Sequence, residues 1–210
     1  MCGNGIRGFG KMVADRGLTK KDELRIETDA GLKTLTLLRT GGVIDRVSVD
    51  MGVPEFEPSR IPFDAPARAV SYGLDVDGRR LDICALSMGN PHAVQMVPEV
   101  DSAPVNTQGP LIERHPRFPQ RVNAGYMQIV DRGHIRLRVY ERGAGETLAC
   151  GSGACAAVVA GRQRGLLDDK VDVKLLGGTL RVSWAGEGQP VWMTGPAVTV
   201  FEGTIDLDRL

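Results

Sequence analysis

Two short runs, Cys2-Gly3-Asn4-Gly5 and Cys150-Gly151-Ser152-Gly153, share the pattern Cys-Gly-polar-Gly, and this recurrence constrains the fold more than any other feature of the chain. At the same offset of 148 residues, Arg16-Gly17-Leu18 falls on Arg164-Gly165-Leu166, so six of seventeen aligned positions agree. Each Gly-rich loop leads into about ten residues of helical character. The Arg-Gly-Leu that follows is a stop signal, because its glycine can take the left-handed conformation that caps a helix. Extended segments come next, Glu23 to Leu38 and Lys170 to Trp184, alternating apolar and polar residues around Ala30-Gly31 and Gly177-Gly178. The pattern predicts an internal duplication: two halves of similar architecture, each with a central helix that opens at a cysteine.

The halves are unequal. Sixty-nine residues of strand-like sequence, Leu81 to Ala149, precede the second cysteine, whereas Met1 alone precedes the first. Equivalence of the halves therefore predicts a first half without its opening strands, since a helix with an apolar face needs a sheet to bury it. Val49 to Pro66, rich in proline, reads as the crossing between halves. Segments Leu81–Val97, Asn123–Val130 and His134–Tyr140 alternate as half-buried strands do, and Val198 to Phe201 reads as a C-terminal strand that returns to the first half. The expected class is α+β, with a mixed or antiparallel sheet around each helix. Residues 1–50 and 196–210 are expected to form the N-terminal unit, and 51–195 the second.

Lysine plus arginine equal aspartate plus glutamate at 26 each, which favours neither nucleic acid nor an anionic membrane surface as partner. No basic-then-apolar leader or bilayer-length apolar run is present, so a cytoplasmic protein is expected. There Cys2, Cys84, Cys150 and Cys155 read as free thiols rather than disulfides.

A cysteine at the first turn of a helix meets unpaired N–H groups and the positive end of the helix dipole, which favour the thiolate. The neighbouring glycines let a carboxylate approach the same N–H groups. Two such loops on equivalent helices predict a pair of cysteines facing each other across a pseudo-twofold axis. A facing thiolate and thiol suit inversion of a stereocentre next to a carboxylate: one removes the α-proton and the other returns one to the opposite face. That chemistry calls for no metal or pyridoxal cofactor, but it does require electrostatic stabilisation of the carbanion.

Met1-Cys-Gly-Asn-Gly-Ile-Arg7 and Tyr140-Glu-Arg-Gly-Ala-Gly-Glu-Thr-Leu-Ala-Cys-Gly-Ser-Gly-Ala-Cys-Ala156 closely resemble the two active-site motifs of the diaminopimelate epimerases. Gly89-Asn-Pro-His-Ala-Val94 and Arg121-Val-Asn-Ala-Gly-Tyr-Met127 are similar to two further motifs of that family, in the same order. The resemblance implies two pseudo-symmetric halves, an amino-acid substrate, a homodimer, and a step toward lysine and cell-wall precursors. It implies that Cys2 and Cys150 are the acid/base pair and that the N–H groups of Gly3, Asn4, Gly151 and Ser152 hold the α-carboxylate. Asn90, Asn123 and Arg142 would recognise the distal end of the substrate, and Glu141 the reacting amino group. His92 and Glu141 would tune the cysteines. The family's usual cysteine after the arginine of the first motif is Gly8 here, and its opening segment, which supplies further substrate-binding asparagines, has no match in the chain.

Several bland readings hold beside this one. Cys84 and Cys155 read as core residues, and His115 and His134 as surface residues. No Cys-x-x-Cys pair supports a zinc site with Cys150 and Cys155, and no lysine ends either glycine loop, so neither is a P-loop. The alternatives are a proline or hydroxyproline racemase-like isomerase, against which the Glu141–Thr147 run argues, and an inactive fragment.

Overall fold

The computed structural model describes residues 3–28 and 31–206, so Cys2 and Ala30 lie outside the described residues. Both glycine loops open helices: α1, Gly3–Asp15, and the third helix α3, Gly151–Gln163. Both end at the predicted stop. Gly17 and Gly165 have φ of 69° and 72°, which a side chain would disfavour. Leu18 N donates to Val13 O and Leu166 N to Gly161 O, at 2.9 and 3.0 Å, closing the same cap twice.

A hairpin follows each helix. Strands β1, Glu23–Thr28, and β2, Gly31–Thr40, match β10, Lys170–Leu175, and β11, Gly178–Trp184, residue for residue at an offset of 147. The third strands are β3, Val43–Asp50, and β12, Val191–Pro196. These two pair antiparallel with each other, Val49 opposite Met193. Val49 also faces Leu35, which faces Leu24, and Met193 faces Val182, which faces Val171. Leu24-Leu35-Val49 and Met193-Val182-Val171 thus form one row that reads the same from either end. The pseudo-twofold axis passes between Val49 and Met193.

The rest of the second half adds β4, Tyr72–Val76, β5, Arg79–Ser87, β6, Pro91–Met96, helix α2, Val105–Glu113, β7, Asn123–Asp131, β8, His134–Glu141, and the short β9, Gly145–Glu146. Among the described residues the strands join in one mixed sheet, β1-β2-β3-β12-β11-β10-β8-β7-β6-β5-β4, with β9 beside β8. The pairs β6–β7 and β8–β10 are parallel and the others antiparallel. The α+β class stands, but the two sheets are continuous because β12 pairs on both sides.

Two expectations need correction. Residues 197–206 form no strand, and Val198, Val200 and Phe201 are exposed. The edge of β3 that such a strand would use is already taken by β12, whose last pair involves Pro196, a residue with no N–H to carry the ladder on. Residues 83–87 of β5 are buried throughout rather than alternately. One face of that strand, with Cys84 and Leu86, packs in the cluster around α3; the other, with Ile83 and Ala85, packs with Ile112 of α2 and Phe118. A strand covered on both faces loses its polar alternation.

The two helices are covered differently. In α3 every residue from Gly153 to Gly161 is buried, among β5 to β8 and β10 to β12. Helix α1 packs on β2, β3 and α3 and leaves Phe9 and Met12 exposed. No helix among the described residues is long and apolar enough to cross a membrane.

Candidate functional site

The two glycine loops meet on the axis. A Cβ placed on Gly3 would lie 2.8 Å from Met193 Cε; one on Gly151 would lie 3.0 Å from Met193 Sδ and 3.7 Å from the Cα of Gly3. The starts of α1 and α3 therefore abut over one methionine side chain, at a distance only glycine allows. Asn4 reaches across from the first loop, its Nδ2 donating to Ala149 O at 3.4 Å. The starts of two helices thus meet, and the positive ends of their dipoles make the place favourable for a carboxylate.

Cys150 is the N-cap of α3; its Sγ accepts from Gly153 N at 3.4 Å and lies 3.7 Å from Ser152 Oγ. The helix start was expected to lower the pKa of this thiol, and the structure corrects that. Burial pushes it up, the charge and hydrogen bond of Glu141 add to the rise, and the contacts with Ser152 and Gly153 N–H only partly oppose it, leaving a pKa of about 12. Cys150 is therefore a thiol at neutral pH in this state. Cys2 falls outside the described residues. Cys84 and Cys155 are buried free thiols, as expected of core residues.

Asn90, Arg142 and Ser152 line one cavity of about 340 Å³ with Lys33, Met51, Gly52, Val53, Met88 and Gly89. His92 and Asn123 lie beneath it, 1% and 2% exposed. Burial drives the His92 pKa down to about 3, with Arg142 adding to the drop, so the ring is neutral. Its Nε2 is 3.2 Å from Asn90 Oδ1; a neutral ring that donates there fixes the Asn90 amide. Asn123 bonds to the backbone on both sides, Nδ2 donating to Pro91 O at 2.8 Å and Oδ1 accepting from Arg142 N at 2.9 Å, which leaves the second amide hydrogen for a ligand. Glu141 accepts a hydrogen bond from Thr147 Oγ1, which aims its carboxylate toward Cys150.

Two residues of the site were not singled out in the sequence. Glu113, at the end of α2, is 2% exposed, and its Oε1 accepts from Gly143 N at 2.9 Å. It anchors the turn that carries Glu141 and Arg142. Arg7, also buried, donates to Gly3 O and Pro196 O at 3.4 Å each and packs where any side chain on Gly195 would collide with it. A charged residue on a short helix normally reads as a solvated face, so neither carried a sequence signal beyond its place beside a motif. His115 and His134 hydrogen-bond to Asp75 O and Asp131 in exposed settings, away from this cavity. Among the described residues no cluster of His, Cys, Asp or Glu could hold a metal ion.

Residues 84–200 match the family model described as Diaminopimelate epimerase. A diaminopimelate epimerase from Nitrosomonas europaea is 62% identical over 206 residues, 98% of this chain and 74% of that protein. One from Cupriavidus metallidurans is 59% identical over 216 residues, covering the whole chain and 74% of the relative. Among solved structures, a hydroxyproline epimerase from Agrobacterium vitis superposes with a TM-score of 0.61 at 19% identity, over 90% of this chain and 61% of that one; at that identity the likeness is one of fold.

Proposed function

The chain belongs to the diaminopimelate epimerase family, and from that premise we propose that it interconverts LL- and meso-diaminopimelate by a two-cysteine acid/base mechanism. It is an amino-acid epimerase, an isomerase acting on the way to lysine and cell-wall precursors. The observation that carries the mechanism is the meeting of the two helix starts at Gly3 and Gly151, because each of those glycines follows a cysteine of the repeat. The racemase alternative rests on fold likeness at 19% identity and has no such support.

In this reading the α-carboxylate binds the N–H groups of Gly3, Asn4, Gly151 and Ser152, where two helix dipoles favour negative charge. Cys2 as thiolate takes the α-proton. The electron pair left on the α-carbon delocalises into the carboxylate, and the same N–H groups stabilise that charge. Cys150, held protonated by its burial and by Glu141, gives its proton to the opposite face, and the next turnover in reverse starts with the roles exchanged. Glu141 also holds the amino group, while Asn90, Asn123 and Arg142 form the distal subsite. His92 acts through Asn90 rather than by charge. One loop comes from residues 1–50 and the other from 51–195, the two functional units. A homodimer in the cytoplasm completes the reading, and light scattering of the purified protein tests the first of these.

The central test is α-proton exchange. Incubated with LL-diaminopimelate in deuterated water under reducing conditions, the protein is expected to place deuterium at the α-carbon with formation of the meso isomer, and Cys150→Ala is expected to lose the inversion. Undiminished inversion by Cys150→Ala would refute the two-thiol mechanism.

A further inference from the structure

Lys33 and Arg142 both line the 340 Å³ cavity, and no residue of that lining is acidic. Arg142 spends one of its N–H groups on Gln120 O, at 3.1 Å. The Lys33 side chain has no hydrogen bond or ion pair among the described residues. Its ammonium lies against the positive-φ Gly52, where an added Cβ would sit 3.6 Å from Nζ.

The position of Lys33 is unusual for a lysine. Side chains alternate along β2, so Lys33 shares the inward face with Leu35 and Leu37, both in the core. The repeat makes the contrast sharp. Lys33 pairs with Ile26 as Leu180 pairs with Val173, and Leu180 is buried, pressed against Gly195. One half of the molecule fills this position with a core leucine; the other points a cation into the cavity. Lys33 is half-buried, and an ammonium held at a cavity without a partner gains from a ligand that supplies the counter-charge.

We propose that Lys33 is a specificity-determining residue whose ammonium, together with Arg142, binds the remote carboxylate of the substrate. The inference rests on the epimerase reading and adds one residue, Lys33, to the distal subsite. The chemistry at the axis reads only the reacting centre, so the far end of the substrate must be recognised off the axis. Lys33 breaks the symmetry where the repeat itself does not.

Titration calorimetry with pimelate, a seven-carbon dicarboxylate without amino groups, reads this contact apart from catalysis. The whole chain, Lys33→Met and Lys33→Arg are compared, each first checked for an unchanged melting temperature. Lys33→Met is expected to weaken pimelate and meso-diaminopimelate binding about three- to tenfold, the range for a partly exposed charge contact. Lys33→Arg is expected to restore most of it, and added salt to weaken the parent more than Lys33→Met. In α-proton exchange the loss should fall on KM for diaminopimelate and spare L-lysine, which lacks the second carboxylate. Equal pimelate binding by the parent and Lys33→Met, or none by either, would overturn the proposal. Lys33-dependent binding without any deuterium exchange would sustain it and sink the epimerase reading instead.

Discussion

Glu113 offers the sharpest test of how the site is held. Its Oε1 accepts from Gly143 N at 2.9 Å, and its Oε2 lies 3.2 Å from Arg114 Nε. Its backbone carbonyl accepts from Val122 N at 3.1 Å. The neighbouring Asn123 then holds Arg142 N, and Arg142 reaches back to Gln120 O. The end of α2, the start of β7 and the turn bearing Glu141-Arg142 are thus knitted together around one buried carboxylate. Arg121, at 3.6 Å from that carboxylate, adopts φ of 59°, a strained value for a side chain.

Glu113→Ala removes the acceptor and strands a part-buried N–H, which costs about 1–3 kcal/mol. The arginine pairs add little, about 0–1 kcal/mol, because the Arg114 and Arg121 side chains are 70% and 55% exposed. A total of about 2 kcal/mol corresponds to a fall in Tm of roughly 4–8 °C for a chain of this size. Glu113→Gln keeps an acceptor for Gly143 N and should lose less than about 1 kcal/mol. Because the turn carries Glu141 and Arg142, the alanine variant should also lose about tenfold in kcat/KM, as small misplacements of binding groups do. Calorimetric melts and α-proton exchange on both variants measure this. A glutamine variant as damaged as alanine would refute the hydrogen-bond argument and put the weight on the charge. An alanine variant that melts low but exchanges normally would show that the turn holds its geometry without Glu113.

Other outcomes follow from the same structure. Glu141→Gln removes the anion that raises the Cys150 pKa, so iodoacetamide should alkylate Cys150 faster at pH 8, and an unchanged rate would leave burial as the whole cause. Burial holds the His92 pKa near 3 against 6.5 in an unfolded chain, so the unfolded state binds the extra proton first. Stability is then lost as pH falls below about 6.5, by up to about 1.4 kcal/mol per unit, and denaturant melts of His92→Gln should show a shallower slope between pH 7 and 5. Gly109→Ala would put a Cβ 2.6 Å from Tyr140 Cγ, the base of a ring that cannot swing away, so it should cost about 1–3 kcal/mol and lower Tm in the same melts; an unshifted Tm would mean α2 can lift off β8.

How much of this was legible depended on which positions the backbone constrains. The duplication could be read because its matching residues are those no substitution spares: Gly17 and Gly165 at positive φ, and Gly3 and Gly151 at the helix contact. Between them the halves have diverged, since many apolar residues can fill a core position. The third strand was misjudged for a countable reason. From Leu35 to its partner Val49 is 14 residues, but from Val182 to its partner Met193 only 11, because the arms of the second hairpin are shorter, so the offset of the repeat does not carry onto β12. The pairing of Val49 with Met193 puts the equivalent residue at an offset of 144, and only strand register could reveal that. The rise in the Cys150 pKa was equally hidden, because the helix start is written in the sequence but the depth of burial and the approach of Glu141 are not.

The same reasoning explains why the site residues missed in the sequence sit where they do. Arg7 and Cys155 occupy equivalent positions of the two helices, each buried, one a cation and one a neutral thiol. Lys33 and Leu180 are a second such pair. A duplicated fold supplies two equivalent acid/base positions without further specification, as a two-base inversion requires. Recognition of the substrate's far end cannot come from what the halves share; it must come from positions at which they differ, unlike pairs among them. In a repeat protein of this kind those unlike pairs, rather than the matching motifs, are where specificity is to be sought.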